Sequence, residues 1–503
     1  MWWSRSTPLH EYGDNYLRAA SPNECRCIIR EELDFYRTIV VGGLYEFEFS
    51  HPTKDSTSIV HTFAPAIKKC IDSHPHLSTI ISGAGTNSPY FEFCPRLDLA
   101  NHVEIRPQPR KTDQDEEEAI AQLLPDILDM KPAQGIPPWK VIISPFNDCR
   151  FFVALAYSHG FLDGMSGMIF HKTFLDAIQQ EPREENGGHD RGRPEKEEKE
   201  GLLVHSRTFR QLPQPFDTKK NLPISWSFLL SPLLSVYLPA SFGFRANIIT
   251  PTTWLGGSIF YDDPDKLKTG LEMFSVDSAT LKKVLEACRG TKIGGAKMTG
   301  LLHELISEAM FKLLPSTKYE NLAAQTTINM RGAVGIPADE MGLCAGGDTE
   351  IIDRQSIGTG TRSWTVARSM TTKLAAVSQK TKDQSLGLLR YLNDVRSWTL
   401  SKIGEKRDCS YELSNLMSFR SNRNSEGIQI QKMVFAQPAS VSGPTLFFNV
   451  VSVDGGPMTV TATWQIGALG LGTDQSPSGS ETEFVKATCR IVQDGLVRIA
   501  KDE

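Results

Sequence analysis

Eleven histidines are spread through the 503 residues, and a histidine acts as a base only where the chain holds it still within reach of a substrate proton. Three of them have an aspartate four residues on: His10 with Asp14, His51 with Asp55 and His159 with Asp163. The first two pairs lie in polar stretches. The third follows Phe151–Tyr157, a short, continuously apolar run of strand type, carries glycines at 160 and 164, and leads into an amphipathic helix over Met165–Ile178. A strand that ends in a turn on glycine presents one side chain to a cleft from rigid backbone. His159 is therefore the candidate base, and Asp163 is the polar group placed to brace its turn. On spacing alone, a core histidine that closes a turn without doing chemistry fits as well.

Other chemistries are excluded by single residues. Gly83-Ala84-Gly85 has Ser88 where a dinucleotide fingerprint needs its third glycine. Gly290 to Gly295 has phosphate-loop spacing, but Ala296 replaces the lysine. Gly164-Met165-Ser166-Gly167 is not a nucleophile elbow, because its second glycine comes one place early. No HExxH is present. The nine cysteines are odd in number and lack metal-ligand spacing, and Cys25 with Cys27 forms a lone CxC. No metal site is expected. Reduced, buried thiols imply a reducing compartment, hence a cytoplasmic protein.

The elements that must position His159 follow from caps and periodicity. Ser21-Pro22-Asn23-Glu24 predicts a capped helix start, with Ile28, Ile29 and Leu33 as its apolar stripe. Strands are predicted over Ile39–Phe49, Leu77–Ser82, Leu271–Val276, Ala323–Met330 and Ile428–Phe435, with a hairpin of Thr445–Val453 and Met458–Trp464 about Asp454-Gly455-Gly456. Helices are predicted over Ile59–Ile71, from Ser278, over Met298–Leu314, and from Ser480 to about Ile499. Both halves mix helices and strands in similar order, which predicts two related α+β lobes. The lobes are 1–180 and 263–503. Between them, 181–262 holds a mobile insertion, 181–200, in which thirteen of twenty residues are charged, and an apolar crossover. The stretch Ser225–Phe244 is broken by Pro232 and Pro239, so it is expected to be buried or surface-docking rather than a membrane span.

Hydrophobic residues make up 40% and charged residues 22%, with a formal net charge of -5. That is ordinary globular composition without a basic field for nucleic acid or an acidic membrane. Peripheral contact with a lipid surface stays open.

His159-Gly160-Phe161-Leu162-Asp163-Gly164 resembles the HxxxDG motif of the chloramphenicol-acetyltransferase-like superfamily. Three further segments are similar to that family in the same order: Ala66–Ile81 with His74-Pro75, Thr327–Gly342 with its arginine before proline and glycine, and Glu412-Leu413-Ser414-Asn415-Leu416. Tyr12 to Tyr45 looks most like the fungal alcohol acetyltransferases. The plant-type DFGWG motif is absent, Ser158 replaces the first histidine of the condensation-domain pair, and Met417 stands where many relatives have glycine.

The resemblance implies an acyl-CoA-dependent O-acyltransferase, acetyl-CoA being the family's usual co-substrate, with no bound cofactor. It implies an active-site channel between the lobes, His159 as general base and direct transfer through a tetrahedral intermediate. Ser414 or Asn415 would supply the oxyanion donor, and Asp163, facing away from the substrates, would pair with an arginine, for which Arg331 is the candidate. The charge near zero and the apolar content suit a small, mostly apolar acceptor alcohol such as a fungal secondary metabolite, and the protein is expected to be a monomer. Transfer to an amine, a carrier-protein-dependent condensation and a non-catalytic binding protein of the same fold are the competing readings.

Overall fold

The computed structural model describes residues 13–48, 56–107, 116–180, 202–205, 211–230, 249–261, 263, 267–290, 293–357, 364–420, 427–471 and 480–501. His10, the His51–Asp55 pair, the charged insertion 181–200 and residues 231–244 of the apolar stretch lie outside them.

The strand Arg150–Ser158 is buried on both faces, which is why its sequence is continuously apolar instead of alternating. On one side Val153, Leu155 and Tyr157 join Val41 and the helices Ser56–Ser73 and Gly164–Gln180 in a single core. On the other, Ala154 and Ala156 meet Ile120, Leu124 and Ile127 of the helix Glu116–Leu128. This strand is the centre of a five-stranded sheet. The sheet runs Ile428–Ala436, Thr38–Phe47, Arg150–Ser158, Trp139–Pro145, Val103–Ile105, antiparallel except for its last pair. Its first strand comes from the second half of the chain and pairs along Thr38–Phe47, Phe435 opposite Val41.

The second sheet has seven strands: Thr253–Trp254, Asn321–Asn329, Tyr411–Phe419, Leu446–Val453, Met458–Gln465 and Thr269–Val276 in order, with Ala345–Asp353 paired to Asn321–Asn329. The helices Ser278–Arg289, Met298–Leu313 and Glu481–Lys501 share one core with it. The Thr461 and Thr463 hydroxyls of this sheet donate to the Phe435 and Gln437 carbonyls at 2.7 and 2.9 Å, stitching the borrowed strand to its own half. The chain is thus an α+β protein of two lobes, each a sheet with helices.

The Ser21 capping box is present, with Glu24 reaching back to the Ser21 N–H. Leu77 and Ser78, expected to begin a strand, instead close a 3-10 turn over Pro75–Ser78, and the strand starts at Thr79; proline at the first position favours that turn over a ladder. All nine cysteines are free and eight are buried. Among the described residues no helix is long and apolar enough to cross a membrane.

Met417 stands in left-handed backbone, φ 66°, where the register of Tyr411–Phe419 shifts against its neighbour. Its side chain is 64% exposed, so little packing offsets the strain. Replacing it with glycine removes about 1–2 kcal/mol of strain and adds about 0.5–1 kcal/mol of unfolded-state entropy. Met417→Gly should therefore raise the midpoint of thermal unfolding slightly; an unchanged or lowered midpoint would show that the side chain contributes packing at this bulge.

Candidate active site

His159 is the first residue after the strand Arg150–Ser158. Its Nδ1 lies 2.9 Å from the Leu162 carbonyl oxygen. A carbonyl can only accept, so the proton sits on Nδ1 and Nε2 keeps its lone pair. The Tyr36 ring stands beside the imidazole, centroids 5.6 Å apart. Burial pushes the imidazole down to about 4, against the smaller opposing pull of the Leu162 carbonyl, so the ring is neutral at pH 7. His159 borders a cavity of about 430 Å³ that is also lined by Gly164, Gln325, Glu412, Ser414 and Phe447.

Behind the histidine loop lies a buried ion pair. Arg331 Nη1 donates to Asp163 Oδ2 at 2.7 Å and Nη2 to Oδ1 at 3.0 Å, a bidentate fork, and the two residues are 1% and 3% exposed. Asp163 Oδ1 also accepts the Ser166 N–H, and Oδ2 the Cys344 N–H, both at 2.9 Å. The remaining guanidinium donors reach the Glu340 and Gly342 carbonyls at 2.9 and 3.0 Å. Burial alone would raise the Asp163 carboxyl, but Arg331 and these N–H groups hold it below its ordinary value. With both oxygens so engaged, Asp163 is no base. It anchors the turn at the same residue whose carbonyl accepts the Tyr157 hydroxyl at 2.9 Å.

The front of the loop rests on Glu31, which the sequence reading missed. Glu31 Oε1 accepts the His159 N–H and Oε2 the Ser158 hydroxyl, each at 2.5 Å, while Ser158 Oγ accepts the Gly160 N–H at 2.9 Å. Burial pushes the Glu31 carboxyl up to about 8 even though these donors pull it down. One signal was available: Glu31 and Glu32 end the helix Pro22–Glu32, where the helix dipole disfavours acids. The two glycines of the motif serve closeness, since neither has left-handed backbone. A Cβ on Gly160 would stand 2.7 Å from Ile28, and one on Gly164 2.6 Å from Leu416.

Ser414 and Asn415 are adjacent on Tyr411–Phe419 and so face opposite ways. Ser414 lines the cavity with His159. Asn415 does not: its Nδ2 donates to Thr299 at 3.2 Å and its Oδ1 accepts the Met417 N–H at 2.8 Å. Of the two expected oxyanion donors, only Ser414 is brought to His159. Glu412, two residues earlier on the same face, is buried and accepts from Gln325, Thr327 and Gln437 at 2.8, 3.0 and 3.0 Å. Among the described residues no three His, Cys, Asp or Glu are grouped to hold a metal.

The alcohol acetyltransferase family profile matches residues 102–472. A probable alcohol acetyltransferase of Fusarium pseudograminearum, FCK4, is 22% identical over 482 residues, spanning 92% of this chain and 93% of that protein. The solved structure of the trichothecene 15-O-acetyltransferase TRI3 from Fusarium sporotrichioides is similar with a TM-score of 0.64 at 12% identity, covering 95% of both chains. The starter condensation domain of rhizomide synthetase, solved in complex with C8-CoA and Leu-SNAC, is similar with a TM-score of 0.57 at 10% identity, covering 97% of this chain and 94% of that one.

The ion pair can be tested by stability. Asp163→Asn or Arg331→Met leaves one charge buried and uncompensated, a loss of about 3–5 kcal/mol. In denaturant unfolding, the double variant should cost less than the two single losses added together. Strict additivity would show that the two side chains do not interact energetically.

Proposed function

This chain belongs to the alcohol acetyltransferase family, and from that membership we propose that it is an O-acyltransferase that uses acetyl-CoA, with His159 as the general base. The observation that carries this reading is the state of the imidazole. Its Nδ1–H is committed to Leu162, and Nε2 is left as an acceptor in a residue that borders the cavity.

An alcohol attacks a thioester poorly at neutral pH because its proton must leave as the carbon–oxygen bond forms. Nε2 takes that proton. An imidazole held near 4 would not take it from a free alcohol; it does so as negative charge develops on the carbonyl oxygen beside it, since the nascent oxyanion stabilises the imidazolium. The Ser414 hydroxyl donates to that oxyanion. When the intermediate collapses, the carbon–sulfur bond breaks and the imidazolium returns the proton to the CoA thiolate. Asp163, Gly164 and Arg331 hold the loop in place and move no proton. The lobes 1–180 and 263–503 supply the two walls of the channel, and the nine free thiols fit a cytoplasmic setting.

The likeness to a condensation domain keeps a second reading in view, transfer from a carrier protein. Ser158, bonded to Glu31, is unavailable as a second base. Turnover of free acetyl-CoA against an acylated carrier separates the two readings.

Isotope-labelled acetyl-CoA incubated with the protein and a panel of alcohols should give acetyl esters by mass spectrometry. His159→Ala should cut the rate by roughly a hundredfold or more with the unfolding midpoint kept, whereas exposed His205→Ala should change nothing; equal effects would overturn the assignment. The pH profile supplies a separate check. The base must be neutral to act, so the acid limb of kcat/KM should fall near 4, with the rate flat from about pH 5 to neutrality. A limb near the ordinary histidine value, about 6.5, would contradict the half-buried, neutral imidazole.

A further inference from the structure

Arg26 and Arg30 are four residues apart on the helix Pro22–Glu32, and both line the cavity that holds His159. Like charges at this spacing repel. Among the described residues neither has an ion-pair partner. Arg26 donates to Asn23 Oδ1 from Nη2 at 2.8 Å and from Nε at 3.2 Å. Arg30 Nη2 donates to the Ser440 hydroxyl at 2.6 Å, and its Nε is buried without a partner. Three carboxylates, Asp163, Asp408 and Glu412, line the same cavity. Asp163 is taken up by Arg331, Glu412 accepts from Gln325, Thr327 and Gln437, and among the described residues none is in ion-pair contact with either arginine. Burial and the neighbouring Arg26 pull the Arg30 guanidinium below its ordinary value, against weaker opposing pulls from Cys27, Tyr36 and Glu412.

Two guanidiniums partly removed from water with no carboxylate in contact, and only the more distant charge of Glu412 acting on both, weaken the fold, so their presence beside the reacting groups calls for a ligand. We propose that Arg26 and Arg30 bind an anionic group of the acceptor, a carboxylate in the simplest case, so that the acceptor is a hydroxy acid. This rests on the acyltransferase reading, and it replaces the mostly apolar acceptor expected from composition with one that has a charged end. The planar, forked donors of arginine match a carboxylate.

The other anions in the reaction are the phosphates of CoA, and position argues against them. Arg30 lies over the Tyr36 ring at 5.2 Å, and the same ring stands 5.6 Å from the imidazole of His159. One aromatic ring therefore separates Arg30 from the base. His159 must work beside the thioester sulfur, and the phosphates lie a whole pantetheine arm away from that sulfur.

Calorimetry on the full chain reads this binding without turnover. The probes are 4-hydroxybenzoate and lactate, each against its methyl ester. The wild type and His159→Ala should bind the acids at least tenfold more tightly than the esters, with the preference shrinking as salt rises. Arg26→Gln combined with Arg30→Gln should erase the preference, and Arg30→Lys, which keeps the charge and loses the fork, should retain part of it. In turnover the KM for acetyl-CoA should stay unchanged in these variants. Equal binding of acid and ester by the wild type, no binding of either acid, or a preference that survives the double variant would each overturn the proposal. A raised KM for acetyl-CoA with the acid preference intact would assign the pair to the CoA phosphates instead. If His159→Ala kept full turnover while the arginine-dependent preference held, the assigned base would be wrong and this site would stand.

Discussion

A carboxylate buried in a protein survives as a charge only beside a counter-charge and with its lone pairs filled. Asp163 meets both conditions with groups from the other half of the chain: Arg331, the Cys344 N–H and, through Ser166, the Gly342 backbone. The pairing demands that the two halves close in one register, since a shift of one residue would leave both charges in a low dielectric unpaired. The loop that ends in Asp163 is then fixed relative to the second sheet, which carries Ser414 and Glu412. Placement of His159 against the residues opposite it is thus a by-product of solving an electrostatic problem behind it.

The same burial sets the chemistry in front. His159 is clamped at its backbone by Glu31 and at its ring by Leu162, so its orientation does not depend on substrate. Removal from water keeps the imidazole neutral and pushes the Glu31 carboxyl up to about 8. Two carboxylates flank one histidine loop, and their surroundings drive them opposite ways. Asp163 has an arginine in bidentate contact and is held low; Glu31 accepts from neutral donors, feels Arg30 only weakly, and is pushed up. The pair differs in role because of its neighbours and not its residue type.

Much of this was legible in the sequence, for physical reasons that differ by element. The strand before His159 stood out because it is covered on both faces, and the helix Pro22–Glu32 because its capping box is a local signal. The strand Tyr411–Phe419 was hidden because Glu412 and Ser414, facing the cavity, break its apolar pattern. Ala345–Asp353 was hidden because it is mostly half-buried and, among the described residues, pairs only with Asn321–Asn329. Arg331 and Ser414 were reached by resemblance and not by spacing. Glu31 was invisible to pattern because its partners are a side chain and a backbone N–H more than a hundred residues away, a contact that exists only once the fold does.

The strand Ile428–Ala436 has a consequence for how this protein comes into being. It covers the edge of Thr38–Phe47, so the first sheet has an open, apolar edge until Ile428–Ala436 has left the ribosome. An exposed edge of that kind invites pairing with other chains, and contacts between such distant segments are slow to form. The first lobe therefore cannot mature as a unit during synthesis, in contrast to the usual domain-by-domain order. Expressing the halves separately would yield a sheet lacking its outer strand and a strand lacking its sheet. Permanently joining two lobes around a cavity makes the nascent chain wait, unfinished, for the strand Ile428–Ala436.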